Sequence, residues 1–332
     1  MRQYARLSKI ENEFRAELGK YYKGLGEKIL KLYNSNIDFN PNSNHTFNLI
    51  VLPLKDSEEE FQKLLLKYQL LVYNQGQEDI QELINIENPK LIATKKQVTL
   101  DFFNKTKETI QTTMNDYNIF NKIKKPLQKI GINNIRQYVP FKRNLGNVNI
   151  DSTRKIVRKP NARAIQILKT HNMKLSKRTR ARITEKVRDI LTINETKGSN
   201  ARIIGDLIKQ EFNTLAKYES ERLARTEIMK SHNMAKNDEI QNNDLIDYVQ
   251  WLATEDERTR ESHAELNGII IRKGDIFPNG CEYPGDPNGE AEEVINCRCT
   301  LLPYIPEYGY IAPPDMDYFT ESDFIPITNF NT

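Results

Sequence analysis

The chain has 332 residues, 38% of them hydrophobic, and a formal net charge of +4. That is enough apolar material for buried cores; it argues against disorder throughout, and length alone suggests about two domains. No apolar run approaches the ~18 residues that cross a bilayer. The start, MRQYARLSKIENEFRAELGKYY, has neither the apolar core nor the small-residue cleavage site of a signal peptide. Three cysteines, an odd and low count, argue against a disulfide scaffold, so the expectation is a chain made and used without entering a secretory route.

In chain order, residues 4 to 33 carry apolar groups at Tyr4, Leu7, Ile10, Phe14, Leu18, Tyr21, Leu25, Ile29 and Leu32. The alternation of three and four is a helical stripe. Gly19, Gly24 and Gly26 weaken it, which favours a bundle helix over a long coiled coil. After the turn-rich NSNIDFNPNSNHT, the stretch EEFQKLLLKYQLLVYNQG repeats the helical period through Phe61, Leu64, Leu65, Tyr68 and Leu71, with Gly76 as its expected cap. QEDIQELINIENP and TLDFFNKTKETIQTTMNDYNIF read as further helices. Residues 1–125 are therefore expected to be a helical N-terminal domain.

Residues 126–198 read as a basic connecting segment. Between residues 154 and 188 thirteen lysines or arginines face a single acid, Glu185. Such density creates a positive potential that favours a polyanion, because each neutralised phosphate releases counterions. No aromatic residues interleave, so contact would be with the backbone of double-stranded DNA and blind to sequence. The candidate DNA-binding residues are Arg178, Arg180, Arg182, Lys186 and Arg188; a solvated helix face is the competing reading.

Residues 199–305 read as a small α+β domain. Two helices are expected first: one with Ile203, Ile204, Leu207 and Ile208 on a face and Ser199 as N-cap, the next with Leu223, Ala224, Ile228, Ser231 and Ala235 together. DYVQWLAT reads as a strand, EDERTRESHAELNG as a short helix stopped by Asn267-Gly268, and IIIRK as a strand turned by Gly274-Asp275. FPNGCEYPGDPNGEAEE is a Pro- and Gly-rich loop, and VINCRCTLL a last strand. The acidic tail, 306–332, shows no core pattern and is expected to lie extended along something else. The fold class is thus mainly α with a C-terminal α+β domain.

The closing strand carries Cys297 and Cys299. Alternate strand residues share a face, so Ile295, Cys297, Cys299 and Leu301 point together. Free cysteine is a small hydrophobe, and a buried apolar face is the first reading. A bridge between the two is disfavoured at that spacing. Zinc is the open alternative, with Cys281, Cys297, Cys299 and His263 as a Cys3His set, although no CxxC pair exists. On the short helix Asp256, Arg260 and His263 share a face at i, i+4 and i+7. They read as an Arg–Asp brace, or as a hydrolytic site with His263 as general base. No second histidine, carboxylate cluster or nucleophile motif stands nearby, and His45, His171 and His232 are scattered.

LARTEIMKSHNMAKNDEI, VQWLATEDERTRESHAELNGIII and YPGDPNGEAEEVINCRCTLLP, in that order, resemble the phage Mu F-like minor head protein family, also called head morphogenesis proteins, over roughly residues 200–303. The residues that carry the resemblance are Arg225, Thr226 and Glu227; Trp251; Asp256, Arg258, Thr259, Arg260, His263 and Gly268; and Asn296, Cys297, Arg298 and Cys299. Cys281 stands outside the signature.

The resemblance implies a minor structural protein of a tailed-phage virion rather than an enzyme. It implies incorporation at few copies through the portal protein, scaffold or major capsid protein as further partners, and association with packaged DNA or its ejection. The location implied is the capsid interior, after synthesis in the host cytoplasm. A head-carried metal-dependent nuclease using His263 is the alternative. Arg225 and Glu227 are expected to form hydrogen-bonded pairs inside the domain, with the Asp256–Arg260 helix as a candidate partner. The cysteines are expected to clasp the PGDP loop to the helix that bears His263.

Overall fold

Helical spacing of apolar residues builds most of the molecule, for which a computed structural model describes residues 2–35, 44–84, 162–196, 201–244, 246–307 and 309–326. These residues fall within one compact unit, Met1–Asn85 with Arg158–Thr332. The helices expected beyond residue 84, the Ser199 cap, the basic residues before 162 and the last residues of the tail lie outside the described residues.

Helix α1 (Arg2–Ser35) buries Leu7, Phe14, Leu18, Tyr22, Leu25, Ile29 and Tyr33. The stripe drifts off the expected one: Tyr22 and Tyr33 are buried where Tyr21 and Leu32 are only partly covered. A straight helix of 3.6 residues per turn rotates away from a seven-residue repeat in this way. Helix α2 (Asn44–Asp56), absent from the sequence reading, adds Phe47, Ile50 and Leu54 to the same core. Helix α3 (58–84) runs on through Gly76, which is therefore no cap. A Cβ there would lie 2.4 Å from the carbonyl oxygen of His232, so glycine lets two helix backbones touch. Gly26 of α1 makes room for a side chain, since a Cβ there would lie 2.6 Å from the Cβ of Phe212.

The described part of the basic stretch forms helix α4 (Ala162–Thr196). Ile183, Val187 and Leu191, spaced by four, join the core of α1 to α3. It is a packed helix of the bundle where the sequence suggested a connecting segment, because one apolar stripe suffices to dock a helix whatever its other faces carry. The two helices expected after residue 199 are continuous: α5 (Ala201–Thr214) passes through a π turn (Leu215–Glu219) into α6 (Ser220–Gln241). Ile204, Ile208, Phe212, Leu223, Ala224 and Ile228 from this run also belong to the bundle core.

The second half of α6 faces a sheet. Strands β1 (Tyr248–Leu252), β2 (Ile270–Arg272), β3 (Thr300–Tyr304) and β5 (Tyr318–Phe319) pair antiparallel in the order β3-β1-β2-β5. Val249 stands opposite Ile271 and Pro303, and Trp251 opposite Leu301. Between β1 and β2 lies α7 (Glu261–Glu265), and α8 (Ala291–Val294) precedes β3. Tyr73, Ile80, Ala164, Leu168, Met234, Ala235 and Ile240 pack with Trp251, Ile271, Phe277 and Leu301 into a second core. The fold is mainly α with a small antiparallel C-terminal sheet, and no described helix is long and apolar enough to cross a membrane.

Two corrections concern the C-terminal part. The expected last strand begins only at Thr300; Ala291–Val294 is helical and residues 295–299 are irregular. Asn296 sits at φ 58°, a left-handed conformation that asparagine tolerates better than most residues and that breaks a strand. The tail folds back on the chain itself. Strand β4 (Tyr310–Ile311) pairs with β6 (Ile325–Pro326), β5 joins β2, and Ala312, Phe319 and Phe324 bury against Ile270. The tail's aromatic residues, separated by proline, carry no readable period, yet Phe319 and Phe324 are buried with Ile270.

Candidate functional site

Helix α6 carries TEIMKSHNMAKNDE, with polar residues on every side, and nearly all of it is buried. Each buried polar group then needs a partner. Glu227 Oε1 accepts from Lys230 Nζ at 2.9 Å and pairs with His171 Nε2 at 3.2 Å; its Oε2 accepts from Gln69 Nε2 at 2.8 Å. Burial opposes the Glu227 charge, but Lys230 and His171 outweigh it and hold this carboxyl well below the usual range. One turn on, His232 Nε2 pairs with Asp79 at 2.7 Å. Burial keeps His232 less basic than an exposed histidine.

The face toward β3 grips the irregular segment. Thr226 Oγ1 accepts from the backbone N–H of Asn296 at 3.1 Å. Asn233 is fully satisfied: its amide donates to the carbonyls of Pro284 and Cys299, and its oxygen accepts from Thr300 Oγ1 and Leu301 N. Lys236, buried, donates to Thr300 Oγ1 at 2.8 Å, and burial pulls its pKa down to about 8.

The opposite side is gripped by the turn before α7. Asp256 takes both ends of the Arg298 guanidinium, Thr254 Oγ1 donates to the Arg298 carbonyl at 2.9 Å, and Arg260 donates to the carbonyl of Ile295. The hydrogen bonds from Arg298 hold the Asp256 carboxyl far below its ordinary value. An Asp256–Arg260 brace on one helix is thus replaced. Asp256 precedes the helix, which starts only at Glu261, and its partner is Arg298. Thr259 closes the turn on Thr254, and Gly268, at φ 83°, donates to the Trp251 carbonyl where the chain turns into β2. The Arg258 backbone N–H donates to the Asp256 carboxylate at 2.9 Å, and its side chain is exposed. Arg225 bonds Glu11 at 3.2 Å and Glu221 at 3.0 Å, so neither it nor Glu227 reaches the Asp256–Arg260 turn.

At the centre, His263 Nδ1 faces Cys299 Sγ at 3.3 Å and Cys297 Sγ at 3.7 Å. These three donor atoms lie within 4.8 Å of one another. Nε2 bonds Glu293 at 3.0 Å, and Glu293 is itself held by Ser262 and Asn279 at 3.1 Å each. Trp251 packs edge-on against the imidazole, 5.5 Å between centroids. The hydrogen bond from Cys297, helped by His263, lowers the Cys299 thiol to about 5; the same bond raises Cys297. Burial works against charge on His263, but Cys299 and Glu293 raise its pKa overall. Cys281 lies outside the group, in the loop where Gly289 approaches it; burial pushes its thiol up to about 12. His263, Cys297 and Cys299 are each only 2% exposed, so an external substrate has no approach to them.

The basic candidates are partly occupied. Arg180 pairs with Glu58 at 3.0 Å, Arg182 with Glu219 at 2.6 Å and Lys186 with Glu211 at 3.9 Å, while Arg188 stacks over Phe47 at 4.1 Å. Arg178 is exposed. The acids missing along α4 are supplied by its neighbours, which a count along one segment does not reveal. Sequence reasoning also passed over Asn233, Lys236, Lys230, His171, Gln69 and Glu293. The polar residues of α6 were the available signal: they stand beside its apolar core residues along nearly the whole helix, and buried polar groups call for partners.

Residues 185–302 match the family described as Phage Mu protein F like protein. Over 150 residues the chain is 24% identical to "Uncharacterized protein YqbB" of Bacillus subtilis (strain 168), a match covering 43% of this chain. It spans 49% of that relative, about half its length. No solved structure matches. The stretch 185–302 holds every residue of the clasp, from Thr226 to Cys299.

Proposed function

We propose that this protein is a minor structural component of a tailed-phage head. It acts in capsid assembly at the portal, lies in the capsid interior and is associated with packaged DNA or its ejection. The carrying observation is the family match over residues 185–302, whose motif residues bond one another. Asp256 binds Arg298, Thr226 binds Asn296, and His263 binds Cys299. A closed clasp of this kind supports a scaffold role. Both ring nitrogens of His263 are engaged and the ring is buried, which argues against its use as a general base in a head-carried nuclease.

The portal protein is the expected partner, with scaffold or major capsid protein beside it. DNA contact falls to the exposed cations of α4, among them Lys174, Lys177 and Arg178, and is expected to be backbone-directed and salt-dependent. Protein composition of purified heads from the phage that encodes the chain tests the proposal. The chain is expected in heads at few copies, and its absence from both procapsids and mature heads would overturn the reading. Incubation of the purified chain with DNA and magnesium or zinc separates the enzyme alternative: cutting that disappears in His263→Ala would favour it.

A further inference from the structure

The convergence of two sulfurs on one ring nitrogen is unusual for a merely packed face. The Nδ1 of an imidazole has a single in-plane direction for a proton or lone pair, so one hydrogen bond satisfies it. Here Cys299 Sγ and Cys297 Sγ stand 3.3 and 3.7 Å from that same atom. Tetrahedral zinc, with Zn–S ≈ 2.3 Å and Zn–N ≈ 2.0–2.1 Å, places its nitrogen and sulfur ligands about 3.5 Å apart. The observed separations bracket that value.

We propose that His263 Nδ1, Cys297 Sγ and Cys299 Sγ bind a single zinc ion that locks residues 296–299 to α7. The surroundings suit a metal. Glu293 accepts from Nε2 and so presents Nδ1 as the ligand, the carboxylate–histidine arrangement that orients and strengthens metal-bound imidazole. Glu293 is fixed in turn by Ser262 and Asn279. Two thiolates and one imidazole select a borderline-soft cation over magnesium or calcium. Among the described residues the set supplies three protein ligands, and Cys281 is not a fourth. With all three ligands buried, the ion is structural: it ties the strand entrance to the helix across the loop that holds Pro284 and Asp286. This inference does not depend on the head-protein reading.

The test is elemental analysis of the full-length chain purified without added metal, followed by exchange to cobalt(II). About one zinc per chain is expected. The cobalt form should show thiolate-to-cobalt charge-transfer absorption, and a strong chelator should lower the melting temperature. Cys297→Val and His263→Gln should lose the metal, while Cys281→Ala should retain it. Absence of stoichiometric metal, together with no cobalt band and no melting shift on adding zinc to the wild-type chain, would overturn the site. So would metal that persists in folded Cys297→Val and His263→Gln. The wild-type measurements decide the matter even where a variant does not fold.

Discussion

The bundle core is buried and so is most of the clasp, with Asp256 exposed, but the two are built on opposite rules. In the bundle Leu18, Tyr22, Leu25 and Ile29 of α1 meet Phe61, Leu65, Tyr68 and Val72 of α3, all apolar and all at helical spacing. In the clasp, Thr226, Asn233, Asp256, Arg260 and His263 bond atoms of the irregular segment 295–299, and Lys236 bonds Thr300 just beyond it. An apolar core tolerates swaps that keep volume, because dispersion and burial have no direction. Directional bonds do not, because a removed partner leaves the other buried and unpaired. The comparison also teaches where stability and specificity sit: the helices give the bulk, and the clasp selects a single path for the loop.

The largest effect that could break this contrast is at Glu227, which stands where the two regions meet. Glu227→Ala leaves Lys230 buried without its carboxylate and should cost about 3–5 kcal/mol in denaturant unfolding. The sign of its pH dependence is also set. The folded pKa lies below the ordinary carboxylate value, so the stabilisation is present in full above about pH 5 and fades as pH falls. Urea midpoints of wild type should therefore drop on acidification more steeply than those of Glu227→Gln. Equal slopes would show that the pair does not carry the linkage.

Trp251, fully buried between Phe277 and His263, comes next. Trp251→Ala should lose about 3–5 kcal/mol. It should also free the imidazole, visible as altered histidine ring resonances; a loss with an unchanged His263 signal would separate packing from the clasp. Gly76→Ala is expected to cost about 1–3 kcal/mol by thermal unfolding, since its Cβ meets the His232 backbone and not a side chain that can turn aside. A neutral result would mean that α3 and α6 can move apart freely. The smallest effect should be Arg225→Ala. Its bonds to Glu11 and Glu221 are partly open to solvent, so about 0–1 kcal/mol is expected, and a loss like that of Glu227→Ala would contradict the division drawn here.

The bundle was legible because period is a property of the sequence alone. Leu7, Phe14, Leu18, Leu25 and Ile29 were all found by spacing. Gly76 misled for a physical reason: it lowers helix propensity and reads as a cap, yet its close approach to the His232 backbone lets α3 run on. At the site, His263, Cys297 and Cys299 were brought together by residue type, although the strand used to align them does not exist. Their meeting depends on the left-handed turn at Asn296 and on the grip of Asn233, which no local pattern announces. Glu293 was hidden in an acidic loop, and the charge of α4 looked free because Glu58, Glu211 and Glu219 stand far away in sequence. Long-range pairing is decided by the fold and leaves little trace along one segment.

The most direct measurement of the central claim is a pair of head reconstructions by electron cryomicroscopy, made with and without this chain. The account predicts difference density for a few copies inside the capsid at the portal vertex, with the helical bundle and small sheet fitting it. Identical maps, or heads that assemble and package normally while the chain remains outside them, would contradict it.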